Sequence, residues 1–197
     1  MSNPLTIPTQ PATPGFARQD SRFVIAHILF AYAALLLGGI AGILQGLVRG
    51  GMITLPAGIG YYQLLTAHGL LMAIVFTTFF IIGFLYSGTA KTLGGTLLPG
   101  VRKLGWSGFI LMAGGTILVV ITVLLNKATV LYTFYTPMKA SPYFYVGLAL
   151  VVVGSWLSGW GMFYQYRWWK KSHRGKLSPL FSFMAVATML LWQIATL

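Results

Sequence analysis

Long apolar stretches alternate with short polar segments along the chain. Five stretches carry no charged residue: about 23–48, 61–86, 104–126, 142–166 and 178–197. About 20 apolar residues suffice for a helix to cross a hydrocarbon layer of roughly 30 Å. The pattern therefore predicts an all-α fold, a polytopic transmembrane bundle with five spans at these bounds.

Turn-forming residues lie between the predicted spans. Gly50, Gly51 and Pro56 follow the first span, and a loop containing Gly94, Gly95 and Pro99 precedes the third. Serine is a favoured N-cap and proline fits the first helical turn, where its missing N–H costs nothing. Ser141-Pro142 and Ser178-Pro179 are accordingly predicted to start the fourth and fifth helices.

The N-terminal segment differs from the rest of the chain. It contains four prolines, which lie among Ser, Thr, Asn and Gln residues: these are Pro4, Pro8, Pro11 and Pro14. Such a composition buries too little apolar surface to offset the entropy of ordering. Residues 1–21 are predicted to form a disordered cytoplasmic tail and residues 22–197 the transmembrane region. The segment lacks the basic and apolar regions of a cleaved signal peptide.

The basic residues predict the orientation. Ten of the 13 Lys and Arg residues fall on one side of the predicted bundle: Arg18, Arg22, Lys91, Arg102, Lys103, Arg167, Lys170, Lys171, Arg174 and Lys176. Arg49, Lys127 and Lys139 fall on the other. Short loops rich in Lys and Arg stay in the cytoplasm. We expect an integral protein of a prokaryotic plasma membrane with a cytoplasmic N-terminus.

Composition excludes several chemistries. Charged residues make up 7% of the chain, against about a quarter in soluble domains. The single carboxylate side chain, Asp20, excludes paired-carboxylate catalysis, and the absence of cysteine excludes disulfides and cysteine-ligated clusters. The cations flank apolar segments rather than forming a basic face on a polar surface, so no nucleic-acid partner is expected. Any metal site in this chain depends on its histidines.

His68 is the candidate ligand. It lies seven residues into the second span, about 10 Å below the outer interface, and an ionisable residue at such depth is a functional candidate. Leu64, Leu65, Met72, Val75 and Phe79 lie on or near the same face and Gly69 follows it. These residues suit a flat macrocycle beside an apolar wall. They suit equally a neutral imidazole that only packs against another helix, and the spacing leaves both alternatives open.

The other histidines are interpreted differently. His27 lies about 14 Å from His68 along the membrane normal, whereas two imidazoles on one iron are about 4 Å apart, so these two cannot share an iron. We interpret His27 as an interfacial or helix-packing residue and His173 as a solvated loop residue. Gly38, Gly42 and Gly46 form two overlapping GxxxG spacings, which predict close helix packing, and Gly114 or Gly115 with Gly154 predicts the same elsewhere.

Two stretches resemble a known family. Tyr61–Gly69 (YYQLLTAHG) with residues 73–77 (AIVFT) strongly resembles the second helix of subunit I of B-type heme–copper terminal oxidases, a cytochrome c oxidase subunit I family. Residues 128–135 (ATVLYTFY) resemble the outer loop between its third and fourth helices, although Thr136-Pro137 replaces the Tyr-Pro-Pro expected next. The resemblance extends from about Phe23 to the end of the chain.

The resemblance implies a specific function. Subunit I of the family has twelve or more helices, holds a low-spin heme, a high-spin heme and copper, and reduces dioxygen to water while moving protons. It implies that His68 is one axial ligand of the low-spin heme. It also implies that the second ligand, the high-spin heme ligand and the copper ligands lie on later helices. The implied partners are the remaining helices of subunit I, other oxidase subunits, cytochrome c or a quinol, dioxygen and the lipid bilayer.

The fifth span reaches the last residue, Leu197, without a polar anchor, so we expect an N-terminal fragment of five helices that is inactive alone. Two alternatives remain at this stage. One is a nitric oxide reductase-like member of the same superfamily, and the other is a cofactor-free membrane scaffold or transporter in which His68 is merely buried.

Overall fold

A computed structural model describes residues 18–129 and 139–197. These residues form five helices and no strand, which confirms the predicted helical membrane bundle. The helices are α1 Arg18–Arg49, α2 Tyr61–Thr92, α3 Pro99–Leu124, α4 Pro142–Ser172 and α5 Leu180–Ala195. The first four are long and apolar enough to cross a membrane, and α5 is a shorter apolar helix of 16 residues.

Three helices extend past the charged residues that bounded the predicted spans. Helix α1 begins at Arg18, α2 continues through Lys91 to Thr92, and α4 continues to Ser172. A charge marks where a helix leaves the hydrocarbon, but a helix backbone needs no apolar surroundings to continue. The prediction of a disordered tail is therefore wrong for residues 18–21, while residues 1–17 lie outside the described residues.

Local sequence explains where α3 begins and ends. Pro99, expected in a loop, occupies the first turn of the helix, where it lacks no needed donor. At the other end Asn126 has φ 54°, and the Lys127 N–H donates to the Thr122 carbonyl. This is a Schellman end with asparagine in the left-handed position. The helix therefore ends at Leu124 rather than Asn126.

The two predicted serine caps differ. Helix α4 begins at Pro142 directly after Ser141, as predicted, although the Ser141 hydroxyl makes no capping bond. Helix α5 begins at Leu180 with Pro179 in the cap position, so Ser178 is not its cap. The Ser178 hydroxyl instead lies 2.6 Å from the hydroxyl of Tyr166 on α4. Ser178 is therefore bonded to α4 and not to the start of α5.

Helices α3 and α4 pack through glycines. A Cβ on Gly115 would lie 2.5 Å from the Gly147 carbonyl oxygen, and a Cβ on Gly154 would lie 2.6 Å from the Gly108 carbonyl oxygen. Only glycine allows the two backbones this close. The predicted close packing is confirmed for Gly115 and Gly154, whereas a Cβ on Gly114 would meet nothing within 4 Å in the described part of the chain.

Most of the charged residues, ten of the 13 Lys and Arg together with Asp20, lie at one end of the bundle, which we call the basic end. It comprises the start of α1, the α2–α3 loop and the end of α4, joined by bonds from the Leu97 N–H to Asp20 and from the Leu98 N–H to Gln165. At the opposite end, the Gln63 amide on α2 donates to the Val123 carbonyl at the end of α3, 2.7 Å away. The side of the membrane that each end faces stays a prediction.

Candidate functional site

His68 is bonded to the backbone of α1. Its Nδ1 lies 2.9 Å from the Gly38 carbonyl oxygen, and this is the one hydrogen bond of the His68 side chain within the described parts of the chain. A carbonyl oxygen can only accept, so Nδ1 carries the proton. In the neutral ring, Nε2 then holds the free lone pair. A histidine that ligates a metal through one ring nitrogen commonly donates the N–H of the other to such an acceptor, and this bond orients the ring.

Glycines on α1 make room for the imidazole. A Cβ on Gly42 would lie 2.5 Å from His68 Nδ1 and 2.7 Å from its Cε1, and a Cβ on Gly38 would lie 2.9 Å from the side chain of Met72. No real Cβ tolerates such distances. The predicted close packing is confirmed at these two glycines. At Gly46 no such approach is found, because an added Cβ would meet nothing within 4 Å among the described residues.

The helix changes form directly after His68. The first part of α2 is an α-helix, Tyr61–Gly69, and it is followed by a π-helical segment, Leu70–Phe76, before the α-helix resumes at Thr77. π-Helical turns are rare and frequently occur at functional sites. The segment contains neither proline nor glycine, so no residue pattern indicated it in advance. It alters which side chains lie below His68 on the same face.

An apolar groove lies between α1 and α2 and reaches Met72, one helical turn from His68. Its walls come from α1 and α2 and consist of Tyr32, Leu35, Leu36, Gly39, Ile40, Ile43 and Met72. Met72 is one turn beyond His68, and Gly39 and Ile43 flank the glycines that receive the ring. The oriented imidazole, the glycine cradle and the apolar wall together fit the axial heme ligand that the sequence resemblance implies.

His27 occupies a different part of the bundle. Its ring is fully buried, with centroids 4.4 Å from Phe23, 4.8 Å from Phe109 and 5.8 Å from Phe79. Its Nδ1 donates to the Phe23 carbonyl at 3.0 Å. His27 is eleven residues, or about 16 Å, from Gly38 along α1. The structure thus makes it a packing residue between helices, distant from the His68 ring.

His173 is not the freely solvated residue that its basic neighbourhood suggested. Its ring stacks on Trp169 with centroids 4.5 Å apart, and its Nδ1 lies 3.0 Å from the Trp169 carbonyl oxygen. It follows the last residue of α4 and completes that helix end. Within the described residues, no three His, Cys, Asp or Glu side chains lie together in a way that could hold a metal ion.

Asp20 organises the basic end, a role that the sequence did not indicate. Its side chain is fully buried. One carboxylate oxygen accepts from the Leu97 N–H at 2.9 Å and the Thr96 hydroxyl at 3.1 Å, while the other accepts from Arg102 Nε at 2.8 Å. The start of α1, the α2–α3 loop and the first turn of α3 are thus joined by one carboxylate.

Gln165 on α4 completes this arrangement. Its side chain is buried, its Oε1 accepts from the Leu98 N–H at 3.0 Å, and its Nε2 donates to the Thr96 carbonyl at 3.2 Å. The α2–α3 loop therefore has its backbone groups bonded by side chains from α1 on one side and α4 on the other. Buried backbone groups need such partners. These bonds join the four longest helices at the basic end.

Comparisons with known proteins agree with this architecture. The family described as Cytochrome C and Quinol oxidase polypeptide I matches residues 22–197. Cytochrome c oxidase subunit 1 of Thermus thermophilus is 34% identical over 189 residues, which cover 92% of this chain and 33% of that protein.

A solved structure is also similar. A heme–copper terminal oxidase dimer, determined by cryo-electron microscopy, contains a chain that superposes with a TM-score of 0.82 at 32% sequence identity. The match covers 91% of this chain and 31% of that one. The chain therefore spans about a third of the length of the relatives it matches.

Proposed function

The chain belongs to the cytochrome c and quinol oxidase polypeptide I family, and on this basis we propose that it forms the N-terminal part of the heme-binding catalytic subunit of a respiratory terminal oxidase. The complete enzyme would reduce dioxygen to water with electrons from cytochrome c or a quinol and couple the reaction to proton movement. We assign it to the B-type group because of the stretches at residues 61–69 and 128–135, of which residues 130–135 lie outside the described structure.

The bond between His68 Nδ1 and the Gly38 carbonyl oxygen carries the proposal. It fixes the tautomer in which Nε2 can donate its lone pair to iron. His68 is also only partly buried, so the five described helices do not enclose its side chain completely.

The residues of this chain have distinct tasks in the proposed site. His68 would be a ligand of the heme iron, the Gly38 carbonyl would hold its ring, and Gly42 would leave the space in which the ring stands. A bound low-spin heme supplies one-electron transfer at a potential that depends on its axial ligands and burial. The second axial ligand, the high-spin heme site and the copper site would come from later helices of the subunit.

The test compares two histidine variants in the complete subunit. His68→Ala removes one axial bond, so the low-spin heme should be lost or become high-spin and accessible to added ligands. His27→Ala is the matched control, because it removes a buried imidazole about 16 Å from Gly38 along α1. It should keep the low-spin spectrum.

Reduced-minus-oxidised absorption spectra of both purified variants decide the matter, with assembly checked by size-exclusion chromatography. Restoration of a low-spin band in His68→Ala by added imidazole would strengthen the assignment. An unchanged low-spin band in an assembled His68→Ala subunit, without imidazole, would show that His68 is structural.

A further inference from the structure

Helix α4 is longer than a membrane requires. Its 31 residues extend about 46 Å, whereas the hydrocarbon layer is roughly 30 Å thick. Measured from Pro142, Trp160 lies about 27 Å along the helix, Arg167 about 37 Å and Lys171 about 43 Å. The last two turns of α4 therefore lie in the headgroup layer at the basic end.

One face of this part of α4 is exposed and changes character along its length. Trp160 is 53% exposed, Tyr164 54% and Trp168 44%, and Arg167 and Lys171 are exposed as well. The spacing of these five residues places them within about 100° of the helix circumference. We call them the α4 stripe. The buried residues Ser158, Gln165 and Trp169 lie on the opposite side.

The α4 stripe runs from aromatic to cationic in the direction of the headgroups. Aromatic residues with a polar atom favour the boundary between hydrocarbon and headgroups. The Tyr164 hydroxyl and the Trp168 indole N–H make no hydrogen bond within the described ranges, so both remain available there. The Arg167 guanidinium matches the geometry of a phosphate group, and Lys171 adds a second cation one turn further on.

The basic residues around the stripe favour an anionic lipid over a zwitterionic one. Lys170, Arg174 and Lys176 lie beside the stripe, and the sole Asp or Glu of the chain, Asp20, is already bound to Arg102. A zwitterionic headgroup carries its own cation, which offsets much of the attraction between its phosphate and this cluster. An anionic headgroup brings only negative charge.

We propose that the α4 stripe is a binding site for an anionic phospholipid, with an acyl chain along Trp160 and Tyr164 and the phosphate between Arg167 and Lys171. Charge alone would attract such lipids to any of the cations at this end. A specific site differs from this diffuse attraction, because it depends on the two cations at the headgroup end of the stripe, Arg167 and Lys171. Cations elsewhere in the cluster favour an anionic headgroup but do not hold its phosphate, so their removal should weaken binding less.

The experiment titrates the complete subunit in detergent with phosphatidylglycerol and counts bound lipids by native mass spectrometry. The stripe variant, Arg167→Gln with Lys171→Gln, should bind about thirtyfold more weakly, because each basic residue near an anionic lipid contributes about fivefold. The matched control, Arg174→Gln with Lys176→Gln, removes the same charge from the adjoining loop and should weaken binding much less than the stripe variant does. Phosphatidylcholine should bind weakly to all three, and inorganic phosphate should not displace phosphatidylglycerol.

Other results would overturn the proposal. Equal weakening of both double variants would show diffuse attraction without a site. Equal affinity of all three proteins would show that the stripe holds no lipid. Retention of phosphatidylglycerol by the subunit, but not by the oxidase with all its subunits, would show that another protein covers this face.

Discussion

The contact between Gly42 and His68 allows a prediction with a matched control. Gly42→Ala places a Cβ 2.5 Å from His68 Nδ1, so the ring has to move away from the Gly38 carbonyl. Gly46→Ala, one turn further along α1, places a Cβ more than 4 Å from every other described residue that it could meet. Both variants gain the same helix preference of alanine over glycine, about 1 kcal/mol, so this gain cancels when they are compared.

The magnitude follows from two losses that only Gly42→Ala incurs. Overpacking costs about 1–3 kcal/mol, and losing the Nδ1 hydrogen bond adds about 1 kcal/mol. We therefore expect Gly42→Ala to be less stable than Gly46→Ala by about 2–4 kcal/mol. Because the displaced ring also misplaces Nε2, Gly42→Ala should carry less low-spin heme, whereas Gly46→Ala should carry the normal amount.

The assay has two readouts on the complete subunit in detergent. Denaturant unfolding followed by far-ultraviolet circular dichroism measures stability, and the reduced-minus-oxidised spectrum measures the low-spin heme. Equal stability and equal spectra for Gly42→Ala and Gly46→Ala would refute the argument that the glycine cradle positions His68. Lower stability with an intact spectrum would mean that Gly42 serves helix packing alone.

Three further predictions concern the rest of the bundle. Asp20→Asn should lower stability by about 3 kcal/mol, the lower end of the cost of breaking a buried ion pair, and an unchanged unfolding midpoint would contradict its joining role. Gly115→Ala should lower the unfolding midpoint, because its Cβ meets the α4 backbone, whereas Gly114→Ala should not; equal midpoints would contradict the α3–α4 packing. In intact cells Ser141→Cys should react with an impermeant thiol reagent and Ser172→Cys should not, and the reverse would overturn the orientation.

Apolar patterning predicted the helices well because a span must be apolar along its whole length. The helix ends were predicted less well. Lys91 and Arg167 served as boundaries, yet both lie inside helices that continue beyond the hydrocarbon. The sequence pattern also left open whether Gly114 or Gly115 packs against another helix, since neighbouring residues on a helix differ mainly in the direction in which they point. The position of α4 settled the choice.

The candidate site was predicted in part. Resemblance singled out His68, and the glycine spacing indicated close packing of α1, but nothing in the sequence paired His68 with Gly38, thirty residues earlier. Asp20 was missed for a similar reason. It follows a proline-rich segment, and its partners Leu97 and Arg102 are 77 and 82 residues away. Contacts between distant segments depend on how helices pack, which local patterns do not encode.

The central claim is that His68 Nε2 is an axial ligand of the low-spin heme. A cryo-electron microscopy map of the complete subunit tests it most directly. We expect an iron about 2 Å from His68 Nε2, the usual length of a bond between a metal and an imidazole nitrogen, with Nδ1 still bonded to the Gly38 carbonyl. A map in which the low-spin iron is ligated by other side chains, while His68 Nε2 contacts only protein or lipid, would contradict the account.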